Sequence, residues 1–286
     1  GKMPFKHVYF TGIVRDKLGR KMSKSLGNSP DPLDLIERFG ADGVRMGMML
    51  CAPAGNDILF DDSLCEQGRN FCNKIWNCFR LIKGWEVSDI AMPETNQWGV
   101  EWFEAVLAKA QAEVADLFSK YRLSEALMAI YKLFCDDFSG WYLEIIKPAY
   151  GQPIDKATYE KTIQFMDTML KLLHPFMPFI TEELWQAIEE RQEGESLMVS
   201  PLEKAQEFSG SEVKEAEQCF DIISAIRNIR AQKNISPKEV LTLVCPEALP
   251  AVVVKLANVE LAVGAEKSAG SASFIIGTTE YSVPLE

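Results

Sequence analysis

The feature that most constrains the fold is a series of amphipathic helical patterns between residues 61 and 192. Apolar residues recur there at three- and four-residue intervals, as in Leu64, Gly68, Phe71 and Ile75, so each helix has one apolar face. The patterns predict helices at about 62–84, 97–120, 124–147 and 155–173, and another that starts at Thr181. Long helices joined by short loops favour antiparallel neighbours. The sequence therefore predicts a mainly α fold built on an antiparallel helix bundle.

The segments before this series have a different character. Residues 4–15 are rich in aromatic and β-branched side chains and predict a strand. Asp31 is a suitable N-cap for a short helix that ends at Gly40. We expect the buried stripe of that helix to comprise Leu33, Ile36 and Phe39.

The segments after the series predict a small α/β unit. Residues 193–210 are polar and indicate a linker, and a helix follows at about 211–233. Strands are predicted at 240–245, 259–263, 272–276 and 279–285, with a helix near 247–257. The expected domains are therefore a first segment, a helical bundle and the C-terminal unit, at residues 1–60, 61–210 and 211–286.

Several aromatic and histidine side chains are expected to be structural. The stretch HPFMPF at 174–179 predicts a buried turn between helices, in which His174 satisfies a helix end. Four more residues lie on apolar helical stripes and are expected in the core, namely Trp76, Trp141, Tyr142 and Trp185.

The cysteines indicate a reducing compartment. Seven are scattered along the chain without a CxxC pair, which favours reduced thiols that act as small hydrophobes. We therefore expect a cytoplasmic protein without a zinc site. No apolar run is long enough to span a bilayer, so no membrane partner is expected.

The charge is unevenly distributed. The formal net charge is −11, yet residues 1–28 carry seven Lys/Arg and one Asp. Within that basic segment, GRKMSKSLGN at 19–28 combines cations and serine hydroxyls between two glycines. Ammonium groups and hydroxyls suit phosphoryl oxygens, and glycines let a loop open and close. A solvated, Lys-rich turn is the alternative interpretation of the same residues.

KMSKS at 21–25 resembles the signature loop of class I aminoacyl-tRNA synthetases, and the likeness continues through GRKMSKSLGNSPDPLDLIERFGADGVR. The resemblance implies an anticodon-binding helix bundle that is preceded by the loop and a stem-contact segment. It also implies that an amino-acid carboxylate attacks the α-phosphorus of ATP, which is bound with Mg²⁺, and that the aminoacyl group then passes to tRNA. By match to the motif, Lys24 would contact the ATP phosphates, Lys21 would support it, and Met22, Ser23 and Ser25 would shape the loop. The HIGH element of the family is not found in the chain, so we expect no adenylate formation by the chain alone.

Three further segments resemble the valine-specific members of the family: RNFCNKIWN at 69–77, HPFMPFITEELW at 174–185 and IRNIRAQKNISP at 226–237. The resemblance implies valine, ATP and valine tRNA as partners of a monomeric enzyme. Isoleucine- or leucine-specific members, or a non-catalytic tRNA-binding module, remain alternatives.

Two helix faces are candidates for RNA binding. Arg69, Asn73, Asn77 and Arg80 recur on the polar side of the first long helix, where they could hydrogen-bond phosphates or unstacked bases. The second candidate is a row of three cations on the helix at 211–233, formed by Arg227, Arg230 and Lys233. A solvated helix face is the alternative for the first set, and ion pairing or capping of the helix end is the alternative for the second.

Overall fold

The architecture is taken from a computed structural model, which describes residues 1–52 and 55–285. The chain forms two compact units. The first unit comprises Gly1–Glu86, Leu107–Ser139 and Tyr159–Gln206, and the second comprises Val87–Val106, Gly140–Thr158 and the chain from Glu207 onward. The predicted division into 1–60, 61–210 and 211–286 stays a prediction.

Helices dominate the element order. From the N-terminus, the chain forms β1 (Val14–Arg15), α1 (Pro32–Phe39), α2 (Ala41–Leu50), β2 (Ile58–Leu59), α3 (Asp62–Lys83), β3 (Val87–Ser88), α4 (Glu94–Ser119) and α5 (Leu123–Lys132). A π-helical segment (Leu133–Tyr142) leads into α6 (Leu143–Ile146), followed by β4 (Ile154–Asp155), α7 (Lys156–Leu173), α8 (Pro178–Ile188) and α9 (Gly210–Lys233). The last elements are β5 (Leu241–Cys245), α10 (Ala251–Ala257), β6 (Val259–Val263), β7 (Ala272–Ile276) and β8 (Thr279–Val283). The predicted mainly α fold with a small C-terminal sheet is confirmed.

Local sequence signals explain where several helices begin. Asp31 accepts a hydrogen bond from the backbone N–H of Leu33 at the start of α1, and Asp61 does the same for Ser63 at the start of α3. These caps satisfy N–H groups that have no partner within the helix. The predicted N-cap at Asp31 is therefore confirmed.

The predicted strand at 4–15 is wrong apart from its last two residues. Only Val14 and Arg15 pair with a neighbour, in a parallel two-residue ladder with Ile58 and Leu59. Within the described chain, residues 4–13 form no ladder, and most of them are exposed. A strand requires a partner for its backbone groups, and the aromatic composition of this segment does not supply one.

The stripe predicted for α1 is wrong at two positions out of three. Phe39 is buried as expected, but Leu33 is 72% exposed and Ile36 is 40% exposed. Leu35 is the second buried residue of the helix. Leu35 and Phe39 are four residues apart and therefore share a face, which packs with Phe60 and Cys65 into a core cluster.

The start of α8 also differs from the prediction. The helix begins at Pro178, not at Thr181. The Thr181 hydroxyl lies within the helix and donates to the carbonyl oxygen of Met177 at 2.7 Å. It therefore accepts from His174 Nδ1, which lies 2.7 Å away, so the role of His174 at a helix end is confirmed.

Two side chains of α2 hold the turn before α8. Asp42 is buried and accepts hydrogen bonds from the backbone N–H groups of Phe179 (3.3 Å) and Ile180 (2.7 Å). Arg45 donates to the carbonyl oxygens of Phe176 (3.0 Å) and Pro175 (3.1 Å). A helix on a different part of the chain therefore supplies the cap that Thr181 was expected to provide.

The predicted core aromatics are confirmed except for Trp76. Tyr142 and Trp185 are buried, and the half-buried Trp141 stacks on Phe220 with 4.2 Å between ring centroids. Trp76 is 41% exposed, because α3 turns its apolar stripe away from that position.

The second unit contains a four-stranded sheet in the order β6-β5-β8-β7. β5 pairs in parallel with β6, and β8 pairs antiparallel with both β5 and β7. α9 and α10 pack together. The parallel β5–β6 pair is connected through α10, as a crossover connection requires.

α2 and α3 approach each other at three glycines, Gly43 and Gly47 of α2 and Gly68 of α3. A Cβ added to Gly68 would lie 2.5 Å from the carbonyl oxygen of Gly43. That distance is shorter than any ordinary contact, so the two helix backbones can be this close only without side chains at these positions.

We predict that Gly68→Ala lowers the free energy of unfolding by about 2 kcal/mol, because the added methyl group overpacks the helix contact. Urea unfolding followed by circular dichroism would measure the change. Gly210→Ala is the matched control, since nothing lies within 4 Å of a Cβ at that helical position. Equal stability of the two variants would contradict the prediction.

Candidate functional site

The loop that carries KMSKS connects β1 to α1. Its backbone turns at Gly19, with φ 77°, and at Gly27, with φ 64°. Both values lie in the left-handed region that favours glycine. The loop is therefore bounded by two turns whose geometry depends on these residues.

The side chain of Asn28 joins the two ends of the loop. Its amide nitrogen donates to Asp16 Oδ2 at 3.1 Å and to the carbonyl oxygen of Lys21 at 3.2 Å. Its amide oxygen accepts from the backbone N–H of Ser23 at 2.8 Å. One side chain thus binds the end of β1 and the backbone on both sides of Met22.

Asp16 is the acceptor at the base of the loop. Its carboxylate accepts from the backbone N–H groups of Leu18 (3.1 Å) and Arg20 (2.8 Å), and from Arg20 Nε (2.7 Å). The hydrogen bond from Asn28, followed by those from Arg20, lowers the pKa of Asp16 from 3.8 to about 2. The carboxylate is therefore ionised at any physiological pH.

Residues 23–27 form a turn that is bonded within itself. Ser23 Oγ accepts from the backbone N–H of Leu26 at 3.2 Å and lies 3.2 Å from Ser25 Oγ. The backbone N–H of Gly27 donates to the carbonyl oxygen of Lys24 at 3.2 Å. Lys24 therefore lies on a small turn that carries two hydroxyl groups.

Neighbouring cations separate into two groups. Arg15 pairs with Asp57 at 2.6 Å, Lys17 with Asp61 at 3.0 Å, and Arg20 with Asp16 at 2.7 Å. Lys21 and Lys24 are exposed, and no carboxylate among residues 1–52 and 55–285 pairs with either. The two lysines of the motif are thus the cations between positions 15 and 24 that remain available to an anion.

Met22 fastens the loop to the protein core. Its half-buried side chain packs against the cluster of Leu35, Phe39, Phe60 and Cys65. The apolar residue between the two lysines therefore points inward. This arrangement agrees with a shaping role for Met22, although that role stays a prediction.

The predicted polar ridge of α3 lies on the surface. Asn73, Asn77 and Arg80 are exposed, and Arg69 is half-buried. Arg69 Nη2 lies 3.3 Å from Glu66 Oε1, and its guanidinium group is 5.7 Å from the centroid of the Phe39 ring. Three of the four side chains are thus open to solvent, and the fourth is partly engaged.

A hollow of about 320 Å³ lies beside this ridge. Its lining residues are Ser63, Glu66, Gln67, Asn70, Phe71, Lys74, Tyr131 and Cys135. Sequence reasoning missed Asn70 and Lys74 because it considered only one row of the helix. The spacing of Gln67, Asn70 and Lys74, at three and four residues, could have indicated a second polar row.

The predicted row of cations on α9 needs correction at Arg230. This residue is only 5% exposed, and its guanidinium group donates to the carbonyl oxygens of Ser236 (2.8 Å), Ala257 (3.0 Å) and Asn258 (2.9 Å). Its donors are directed at the backbone, so Arg230 cannot continue a surface row. Arg227 forms a salt bridge with Glu144, and Lys233 is exposed.

The thiols are poorly suited to nucleophilic chemistry. All seven are free; six are buried and Cys72 is half-buried. Burial raises the pKa of Cys72 to about 12 and the pKa values of Cys65 and Cys219 to about 11. These groups are therefore thiols near neutral pH. In the described part of the chain, no three His, Cys, Asp or Glu side chains are grouped to hold a metal ion.

Among residues 1–52 and 55–285, no helix is both long enough and apolar enough to cross a bilayer.

Two family models cover most of the chain. Residues 100–245 match the anticodon-binding domain of tRNA ligase, and residues 1–61 match the class I tRNA synthetases (I, L, M and V). The chain therefore belongs to the class I synthetases that carry this anticodon-binding domain. The family expected from KMSKS and its flanking residues is confirmed.

The curated proteins whose sequences match this chain include several valine–tRNA ligases. Over its full length the chain is 68% identical to the valine–tRNA ligase of Phocaeicola vulgatus, 64% to that of Bacteroides thetaiotaomicron and 63% to that of Parabacteroides distasonis. The chain spans 33% of the length of each of these relatives.

A solved structure shares the fold. A ternary complex of LeuRS from Agrobacterium radiobacter K84 with tRNA and LeuAMS matches 85% of this chain and 26% of that one. The TM-score is 0.53 and the sequence identity is 20%. The similarity concerns the fold alone.

We predict that Asn28→Ala moves the pKa of Asp16 from about 2 toward the ordinary value of 3.8, because the hydrogen bond from Asn28 is the largest contribution. A carbonyl-carbon NMR titration would measure it. The folded-state pKa is lowered, so the ionised carboxylate stabilises the loop fully above pH 3.8, and this stabilisation is lost as the pH falls toward about 2. Asp57 is the control, since its pKa is lowered chiefly by Arg15. An unchanged Asp16 titration would contradict the prediction.

Proposed function

We propose that the chain is the part of a valine–tRNA ligase that supplies a phosphate-binding loop and recognises the anticodon of valine tRNA. The complete ligase joins valine to ATP as valyl-adenylate, releases pyrophosphate and transfers the valyl group to the tRNA. ATP, bound with Mg²⁺, is a substrate in this scheme. The 61–68% identity to several valine–tRNA ligases over the whole chain supports valine over isoleucine or leucine.

The observation that carries the proposal is the availability of Lys21 and Lys24. Three neighbouring cations are neutralised by carboxylates, whereas these two ammonium groups extend into solvent from one loop. A solvated, Lys-rich turn would not need a core-packed methionine between its lysines. The donor set of two ammonium groups and two serine hydroxyls fits the oxygens of a polyphosphate.

The loop would act on the charge that moves during activation. When the valine carboxylate attacks the α-phosphorus, negative charge shifts onto the departing pyrophosphate. Lys24 lies on the self-bonded turn and can approach these oxygens, while Lys21 adds a second positive charge from the adjacent backbone. Contacts that form only as pyrophosphate leaves stabilise the transition state selectively.

The anticodon-binding role rests on the ridge and hollow of α3. Exposed Asn73 and Asn77 offer amide donors and acceptors for the edges of unstacked bases, and Arg80 offers a cation for the phosphate backbone. Lys74 lines the adjacent hollow and adds a donor there. Of the three cations predicted as a row on α9, Lys233 and the partly exposed Arg227 can still contribute to RNA binding, and Arg227 must first leave Glu144.

The compartment and the oligomeric state belong to the same proposal. Free thiols without a disulfide suit the cytoplasm. We propose a monomer, because one chain carries both the loop and the α3 ridge.

We predict that Lys24→Ala in the complete ligase lowers the rate of valyl-adenylate formation by about 100-fold, because one charge-stabilising donor is lost. The KM for ATP should change much less, since the contact acts mainly in the transition state. Valine-dependent pyrophosphate exchange would measure both quantities. Lys132→Ala removes an exposed lysine of α5 as the control. Equal changes in rate and KM would remove the selective role of Lys24.

We predict that Arg80→Ala weakens binding of valine tRNA by about tenfold and lowers the slope of log affinity against log salt by about one, as expected for one phosphate contact. Filter binding at several salt concentrations would measure both. Lys109→Ala is the charge-matched control, because Lys109 is an exposed cation on a different helix, α4. A tRNA with a changed anticodon should bind less well than valine tRNA. Equal binding of both RNAs would contradict anticodon recognition.

A further inference from the structure

We infer that Asn28 and Asp16 are positioning residues that hold Lys21 in place and leave Lys24 free to move. The inference rests on the proposed function, since it assigns different tasks to the two lysines of the phosphate-binding loop. Neither Asn28 nor Asp16 needs to touch ATP for this role. Both act through the backbone of the loop.

The first step of the argument is the backbone that Asn28 holds. Its amide nitrogen binds the carbonyl oxygen of Lys21 and its amide oxygen binds the N–H of Ser23, at 3.2 and 2.8 Å. These two groups flank Met22, whose side chain is packed against the core cluster. The segment from Lys21 to Ser23 is therefore fixed on two sides, and the Cα of Lys21 has little freedom.

The second step is the anchor behind Asn28. Its amide also donates to Asp16, and Asp16 accepts three more hydrogen bonds from Leu18 and Arg20. The backbone of Lys21 also pairs with the backbone of Arg15 of β1 in an isolated antiparallel β-bridge. An ionised carboxylate that accepts several donors makes strong, short-range contacts. The base of the loop is thus one connected network.

The third step is the contrast with residues 24–27. The hydrogen bonds of this turn run between its own members and Ser23. Across the residues that the structure describes, none of the hydrogen bonds of residues 24–27 reaches an element outside the loop. Lys24 can therefore swing with the turn without breaking the network at Asp16.

The two lysines thus have different mechanical properties. Lys21 projects from a fixed backbone and provides a positive charge before the nucleotide arrives, which saves the cost of ordering it later. Lys24 moves with a short turn and can follow the phosphate oxygens as pyrophosphate departs.

Trypsin provides a direct test, because it cleaves after Arg20, Lys21 and Lys24. We expect Asn28→Ala to accelerate cleavage after Lys21 by about tenfold in the 286-residue chain, because three hydrogen bonds that oppose local opening are lost. Cleavage after Lys24 should change much less, since that turn is already free. Ser29→Ala, an exposed neighbour, is the matched control and should leave all rates unchanged. Similar acceleration at both lysines, or at neither, would overturn the inference.

Exchanging the side chains of Asp16 and Asn28 tests whether their hydrogen bond, and not only the volume they fill, holds the loop. Asn28→Asp alone places two carboxylates against each other and should open the loop. The double variant Asp16→Asn with Asn28→Asp restores one amide–carboxylate pair, and protection after Lys21 should return in part. A double variant that is cleaved faster than both single variants would contradict the role of the pair. Unchanged melting temperatures would show that the differences are local, and a general loss of stability without rescue would also count against the inference.

The complete ligase supplies the functional readout. Asn28→Ala should lower kcat for valine-dependent pyrophosphate exchange by about tenfold and leave KM for ATP within about twofold, because misplacing a catalytic group costs rate. The swapped double variant should recover part of that rate. If the wild-type ligase shows no exchange, the proposed function fails while the protease result still decides the positioning role. If exchange is normal in Asn28→Ala, the positioning role fails while the proposed function stands.

Discussion

The close contact between α2 and α3 is the constraint on which the first unit depends. It requires bare backbone at Gly43 and Gly68. Once the helices are this close, Cys65 of α3 reaches Phe39 of α1 and forms the apolar cluster against which Met22 packs. The path from a helix crossing to the lysine-bearing loop therefore runs through only a few side chains. A substitution at Gly43 or Gly68 would therefore disturb the packing of Met22, and with it the loop, although no residue of the motif is changed.

Electrostatic pairing in the basic N-terminal segment is selective. Arg15, Lys17 and Arg20 are bound to carboxylates, and these pairs organise the backbone around the loop. Exposed pairs of this kind contribute little to overall stability. Their effect is to occupy the nearby carboxylates with other cations, so that Lys21 and Lys24 have no carboxylate partner within the ranges that the structure describes. An acidic protein with a net charge of −11 can thereby offer a local anion site.

Sequence reasoning succeeded where the signals were local and failed where tertiary contacts decide. Asp31 was predicted as an N-cap and caps α1 through the backbone N–H of Leu33, two residues away, and the KMSKS motif is contiguous in the sequence. Thr181 was expected to start α8, but Asp42, 139 positions earlier in the chain, supplies the cap. Arg230 has the spacing of a surface row, yet three carbonyl oxygens brought near by the fold bury it. The pattern at 4–15 could not indicate whether a pairing strand would be present.

The grip of α2 on the turn before α8 has a consequence for chain length. Arg45 donates hydrogen bonds to the carbonyl oxygens at positions 175 and 176, and Asp42 accepts hydrogen bonds from the N–H groups at 179 and 180. Asp42 and Arg45 lie about one helical turn apart on α2. Their spacing therefore fixes the number of residues between positions 176 and 179. One inserted or deleted residue would leave either the guanidinium or the carboxylate facing the wrong atoms. Insertions and deletions between related chains should therefore occur in segments that no such pair of contacts constrains, such as residues 201–209, where no helix or strand forms.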